Sequence, residues 1–256
     1  MMQFKKFSLL ILIPFFACTN NSNQEETSGE ASTSKENNET SLIIEQKVDT
    51  EIAKYSADGI TLTEIKPTNK DKESSLILTN ASFKEGINIL QFNIENNDNY
   101  SITTIQNNYT INKHSTTKID QEFLSGNNVF LAFLTNENNL GIKTNKATVL
   151  KNIVLNDEAL FDEKQPHLFY YLPQNNIAIL DFCLVNTSLN KDGNKVKVTI
   201  NNTITLVIDK WASYQIEGLT QNKNTIRIEL IDKAGNLIPG PFNDSGERSF
   251  ILNQNS

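Results

Sequence analysis

The stretch Lys195–Asp209, KVKVTINNTITLVID, decides the fold class. Val196, Val198 and Ile200 alternate with polar residues, and Ile204, Leu206 and Ile208 alternate again after them. A period of two marks a strand with one buried face, because successive side chains point to opposite sides of the pleat. Asn201 and Asn202 stand between the two runs. Asparagine tolerates the positive φ that a tight hairpin demands. The stretch reads as a β-hairpin closed by a two-residue turn.

Short runs of the same kind recur: Ile60–Ile65, Leu76–Leu78, Ile87–Ile94, Val129–Leu134, Val149–Leu155, Ile177–Val185, Thr225–Ile231 and Ser249–Leu252. Asn, Gly and Asp cluster between them, and helical periodicity is scarce after Ser41. Many short strands with frequent turn signals predict an all-β chain of Ig-like β-sandwiches. Several phrases occur twice in the same order. LQFNIEN at Leu90 returns as LDFCLVN at Leu180, TTIQNN at Thr103 as VTINN at Val198, and FLSGNNVFLAFL at Phe123 as GLTQNKNTIRIEL at Gly218. Two copies are too few for a solenoid, so two sandwiches in tandem are expected. The expected bounds are 48–155 for the N-terminal sandwich, 156–165 for an acidic linker and 166–256 for the C-terminal sandwich. A fragment from Gln165 to Asn255 is expected to fold alone.

The chain opens differently. Lys5 and Lys6 precede an apolar run, Phe7–Phe16, which is too short to span a bilayer and has the form of a secretory signal. It ends on Ala17-Cys18, and an apolar run closed by a small residue and cysteine is the pattern of a lipoprotein signal. Residues 1–17 are the expected signal peptide and Cys18 the expected lipidation site, a secreted chain with a stray cysteine being the alternative. Acyl chains at about 0.8 kcal/mol per buried methylene give a stable membrane anchor. Residues 18–47 are rich in Asn, Ser, Thr and Glu, and are expected to be a disordered tether.

Composition narrows the function. The 256 residues carry a net charge of −7 with no basic stripe, which argues against a nucleic-acid partner. Apart from Cys18 the sole cysteine is Cys183, in mid-strand, where a buried inert thiol is expected. His114 lies in polar NKHST and is expected in an exposed turn; His167, after Pro166, opens a strand and is expected to make a structural hydrogen bond. Two histidines and one thiol do not suffice for the converging ligands of a transition-metal site, so no metal and no cofactor are expected. Asp192 in NKDGN and Asp232 in DKAGN read as turns built on Gly193 and Gly235 rather than as calcium loops. Two arginines, Arg227 and Arg248, are few for phosphate recognition. Asp157, Glu158, Asp162 and Glu163 read as solvated linker charges, and no nucleophile–base constellation appears, so no enzyme is expected. Trp211, with Tyr214, Tyr170 and His167, makes up the candidate ligand-binding set: an aromatic face for a sugar or a protein, or rings that close a sandwich core.

PHLFYY, LDFCLVNTSLNKDGNKVKVTINNT, DKWASYQIEGL, NTIRIELIDKAGNLIPGPFN and ERSFIL, together nearly all of residues 166–252, resemble a family of two-domain Bacteroidota lipoproteins. FLSGNNVFLAFL carries the clearest likeness in the N-terminal half. Members are often labelled phosphopeptide-binding proteins. The resemblance implies a tandem sandwich at the cell envelope and no particular reaction. Relatives carry a His-x-His strand and a Gly-His-His turn where this chain has Ile102-Thr103-Thr104 and Gly126-Asn127-Asn128. The expected function is a lipid-anchored outer-membrane protein with a non-catalytic binding, adhesion or structural role. Its partners would be the membrane, through the lipid, and an envelope protein or glycan. The alternative is a ligand- or metal-handling lipoprotein whose N-terminal histidine site has been lost.

Overall fold

The computed structural model describes residues 51–96, 99–171 and 178–252; Cys18, the signal peptide and the tether lie outside them. Residues 49–256 cluster as one compact unit. Among the described residues seventeen strands follow in chain order. A first hairpin consists of β1 (Lys54–Ala57) and β2 (Ile60–Ile65). Next come β3 (Ser75–Leu78), β4 (Gly86–Glu95), β5 (Ser101–Gln106), β6 (Thr110–His114), β7 (Lys118–Phe123), β8 (Gly126–Thr135) and β9 (Thr148–Leu155). The second half holds β10 (His167–Tyr170), β11 (Ile179–Leu180), β12 (Phe182–Val185), β13 (Lys195–Ile200), β14 (Ile204–Ile208), β15 (Ser213–Glu217), β16 (Lys223–Ile231) and β17 (Arg248–Ile251). Among the described residues one α-helix, α1 (Asn69–Glu73), is opened by a capping box between Thr68 and Asp71.

The first sandwich packs the sheet β3-β4-β7 on the sheet β6-β5-β8-β9. This is the A-B-E and C′-C-F-G arrangement of Ig-like folds. The second repeats it, with β14-β13-β16-β17 as one sheet, and β10-β12 and β11-β15 as the broken other. The repeated phrases occupy matching places. Asn107-Asn108 and Asn201-Asn202 both turn with positive φ. Asn107 exchanges bonds with the Val129 backbone, and Asn201 does the same with Thr225. Ile200 pairs with Ile204, so the loop holds three residues rather than the expected two, with the asparagines as its first two.

The expected boundary at residue 48 is corrected by the first hairpin. β2 pairs antiparallel with β15, from Ser213↔Ile65 to Glu217↔Thr61, so Lys54–Ile65 belong to the second sandwich and not the first. Ile60 and Leu62 join its core, and Tyr55 packs edge-on to Tyr214. The turn Asp58-Gly59 is a two-residue hairpin turn with positive φ at both positions. Gly218 meets it so closely that a Cβ there would lie 2.0 Å from Gly59 O, which leaves room for glycine alone.

A third apolar cluster joins the sandwiches. Val129, Leu131 and Phe133 on the outer face of β8, with Ile105, pack on Phe169, Tyr171 and Cys183. The alternate residues Phe130, Ala132 and Leu134 face the core of the first sandwich. VFLAFL is thus a continuous apolar run because β8 is covered on both faces. The linker is packed here too. Phe161 is buried and stacks on His167, and Glu163 accepts from the Asn152 amide, against its expected solvation.

Candidate functional site at the seam

The centre of the seam is Asp181, a fully buried residue at the break between β11 and β12. The loop after β8 brings Gly141 and Lys143 from the first sandwich to it. Asp181 accepts from Gly141 N–H at 2.9 Å, from its neighbour Phe182 N–H at 3.0 Å and from Ser213 Oγ–H at 3.0 Å. Lys143 Nζ completes the set by pairing with Asp181 Oδ1, and donates to Phe182 O at 2.8 Å. Neither Lys143 nor Asp181 is legible as a partner in the sequence, because their meeting depends on how the sandwiches dock.

Trp211 lies beside this cluster, half-buried between the core of the second sandwich and the seam. Its Nε1–H donates to Phe182 O at 3.1 Å. Two clefts have the ring in their walls. One, of about 710 Å³, is lined by Lys54, Asn145, Asn190, Asp209 and Lys210 among others. The other, of about 160 Å³, has apolar walls at Ile65, Pro67, Leu140 and Ile142. Trp211→Ala is expected to cost about 2–4 kcal/mol, toward the low end for tryptophan because part of the ring is already wet. Chemical denaturation measures this; a change below about 0.5 kcal/mol would assign the ring to contact rather than packing.

The other candidates do not form an aromatic face with it. Tyr214 and Tyr170 are buried in the second core. Tyr214 donates its hydroxyl to Lys210 O at 2.5 Å, and burial raises both phenols' pKa. His167 is buried between Phe161 and Phe169, and its Nε2 lies 2.8 Å from Asp162 O. The carbonyl can only accept, so Nε2 carries the proton and the partnerless Nδ1 is the bare nitrogen. Burial lowers the pKa of His167 below 6.5, against a smaller opposing pull from Asp162. A depressed histidine contributes its full stability above its unfolded pKa and loses it as pH falls through the folded one. The urea midpoint is therefore expected to fall between about pH 7.5 and about pH 5.5, and to fall less in His167→Gln.

His114 ends strand β6 and is not the exposed turn residue expected; it bonds Thr104 Oγ1 at 2.9 Å, and burial lowers its pKa. Cys183 is buried, with its thiol pushed up to about 11 by burial. Asp192 and Asp232 hold turns, accepting from backbone amides at Ser188 and at Ala234 and Asn236. Arg227 forks onto Asp244, and Arg248 donates to Ser245 O. Thr104 pairs opposite Ala132, four residues from Asn128, so Thr104 and Asn128 lie roughly 13 Å apart along the strands. No group of three or more His, Cys, Asp or Glu is placed to hold a metal among the described residues.

No family model matches the chain, and no curated protein matches it. Among solved structures, the fibronectin(III)-like modules of Clostridium thermocellum CbhA are similar over 69% of this chain and 94% of theirs, at 8% identity and a TM-score of 0.24. A superposition that loose carries no argument. The Ig-like assignment rests on the strand pairing above.

Proposed function

We propose that this chain is a lipid-anchored protein of the bacterial outer membrane whose fused double sandwich has a non-catalytic binding, adhesion or structural role. The seam is the observation that carries the reading. Its buried groups, Asp181, Ser213 and Cys183, are engaged in contacts that lock two sandwiches into one body. Chemistry spent on docking makes a rigid support. The clefts beside Trp211 offer such a body a contact surface, with an indole edge among asparagine, aspartate and lysine side chains that suits a glycan or a protein loop. The anchor is supported by the apolar run ending on Ala17-Cys18. Cys18→Ser is expected to move the protein from the membrane fraction to the soluble fraction of cells, and the wild-type N-terminal peptide to carry acyl mass. A variant that stays membrane-bound, beside an unacylated wild type, would overturn the anchor.

A further inference from the structure

The seam holds an amine and a carboxyl group in contact and shielded from water. The Lys143 side chain is 11% exposed and that of Asp181 is 0% exposed. They come from different sandwiches, Lys143 from the loop after β8 and Asp181 from the broken strand of the second. Three neutral donors already point at the carboxyl oxygens: Gly141 N–H at Oδ2, Phe182 N–H and Ser213 Oγ–H at Oδ1. The buried Tyr171 hydroxyl lies beside Gly141 and has no hydrogen-bond partner. A Cβ on Gly141 would lie 2.5 Å from that oxygen and 3.1 Å from Lys143 Nζ. Burial beside Asp181 raises the Tyr171 pKa well above 10, which keeps it a proton-bearing donor.

We propose that Lys143 and Asp181 condense into an amide that staples the two sandwiches covalently. The step conserves oxidation state. A proton passes within the pair from ammonium to carboxylate, leaving a neutral amine and a neutral carboxyl. The Nζ lone pair then forms a bond to Cγ, and the displaced carbonyl electron pair moves onto Oδ2, where Gly141 N–H receives it. A nitrogen proton passes to Oδ1, which Nζ already touches, and the Cγ–Oδ1 bond breaks to release water. The carbonyl re-forms, giving a secondary amide and one water molecule. Two features drive the reaction. Contact between the reacting groups supplies an effective concentration far above any in solution. The product is also uncharged, so it escapes the desolvation cost that a buried ion pair carries.

The inference does not depend on the lipid anchor, and it is read at the level of peptides. Trypsin digestion of the denatured full-length protein is expected to give Ile119–Lys146 and Gln165–Lys191 as one branched species, lighter than the two by one water, about 18 Da. Cleavage after Lys143 should be absent. Lys143→Arg keeps the positive charge but lacks the nucleophilic amine, and its digest should give the peptide from Ile119 to the substituted position and Gln165–Lys191 separately, each at full mass. If that variant does not fold, the wild-type digest still decides. Wild-type protein that yields Ile119–Lys143 and Gln165–Lys191 as separate peptides, both as purified and after prolonged incubation at neutral pH, would overturn the proposal and leave the pair a salt bridge.

Discussion

The fragment Gln165–Asn255 is expected not to melt cooperatively when made alone, although its sequence reads as a whole sandwich. Without the first hairpin, β15 becomes a bare edge and Tyr214 loses its ring partner Tyr55. The core also loses Ile60 and Leu62, which are 4% and 0% exposed in the intact chain. Burial of such side chains is worth roughly 1.5–3 kcal/mol each. With the half-buried Tyr55, Ala53 and Ala57 the loss comes to about 5 kcal/mol, which is the size of a small domain's whole stability. Departure of the first sandwich exposes Phe169 and Cys183 as well. Residues 51–66 fused through a flexible linker ahead of Gln165 should restore a cooperative far-UV circular dichroism transition. A bare fragment melting within a few degrees of the intact protein would show that the hairpin is an ornament.

Asn243→Ala is expected to cost about 3–5 kcal/mol, a large loss for one amide. Asn243 is 0% exposed and both ends of its amide are hydrogen-bonded. Its Oδ1 accepts from Leu168 N–H at 2.8 Å, and its two Nδ2–H groups are shared among Pro166 O, Ile238 O and Pro239 O at 3.0–3.2 Å. It ties the start of β10 to the loop after β16, with its own carbonyl held by Leu230 N–H. Alanine would strand a buried donor and leave three carbonyls short of a partner. Asn243→Asp should be comparably harmful, because a carboxylate keeps the acceptor and loses the donors. Urea unfolding of both variants measures this, and a loss below about 1 kcal/mol in either would mean that water replaces the side chain.

The parts that could be read in advance are those whose reason is local. Val196 to Ile208 alternate because the β13–β14 hairpin covers one face only, and the two asparagines supply its turn. The internal repeat was legible because the same asparagine-to-backbone bonds recur in both copies. Strands β6 and β7 were passed over because TINKH and KIDQEF carry polar residues at most positions. The membership of β1 and β2 was hidden for another reason. Asp58-Gly59 is a strong hairpin signal that was available, yet nothing local says that β2 should choose β15, far along the chain. The seam was equally silent. Lys143 and Asp181 are 38 residues apart and sit in unrelated phrases, so only docking pairs them. Trp211 drew notice as the lone tryptophan, but its place between two cores follows from the packing of three segments.

The route of the chain has a mechanical consequence. Among the described residues the chain starts in the second sandwich, leaves to build the first, and returns to finish the second. Tension applied through the N-terminus is therefore delivered to β1 and the sheet β1-β2-β15-β11, and the first sandwich hangs outside the load path. The first structure to yield under a pull would be the hairpin, whose β1 pairs with β2 alone. Its detachment rate, rather than the equilibrium stability of either core, would set the lifetime of the loaded molecule. An amide between Lys143 and Asp181 would still hold the two sandwiches together after the hairpin had gone.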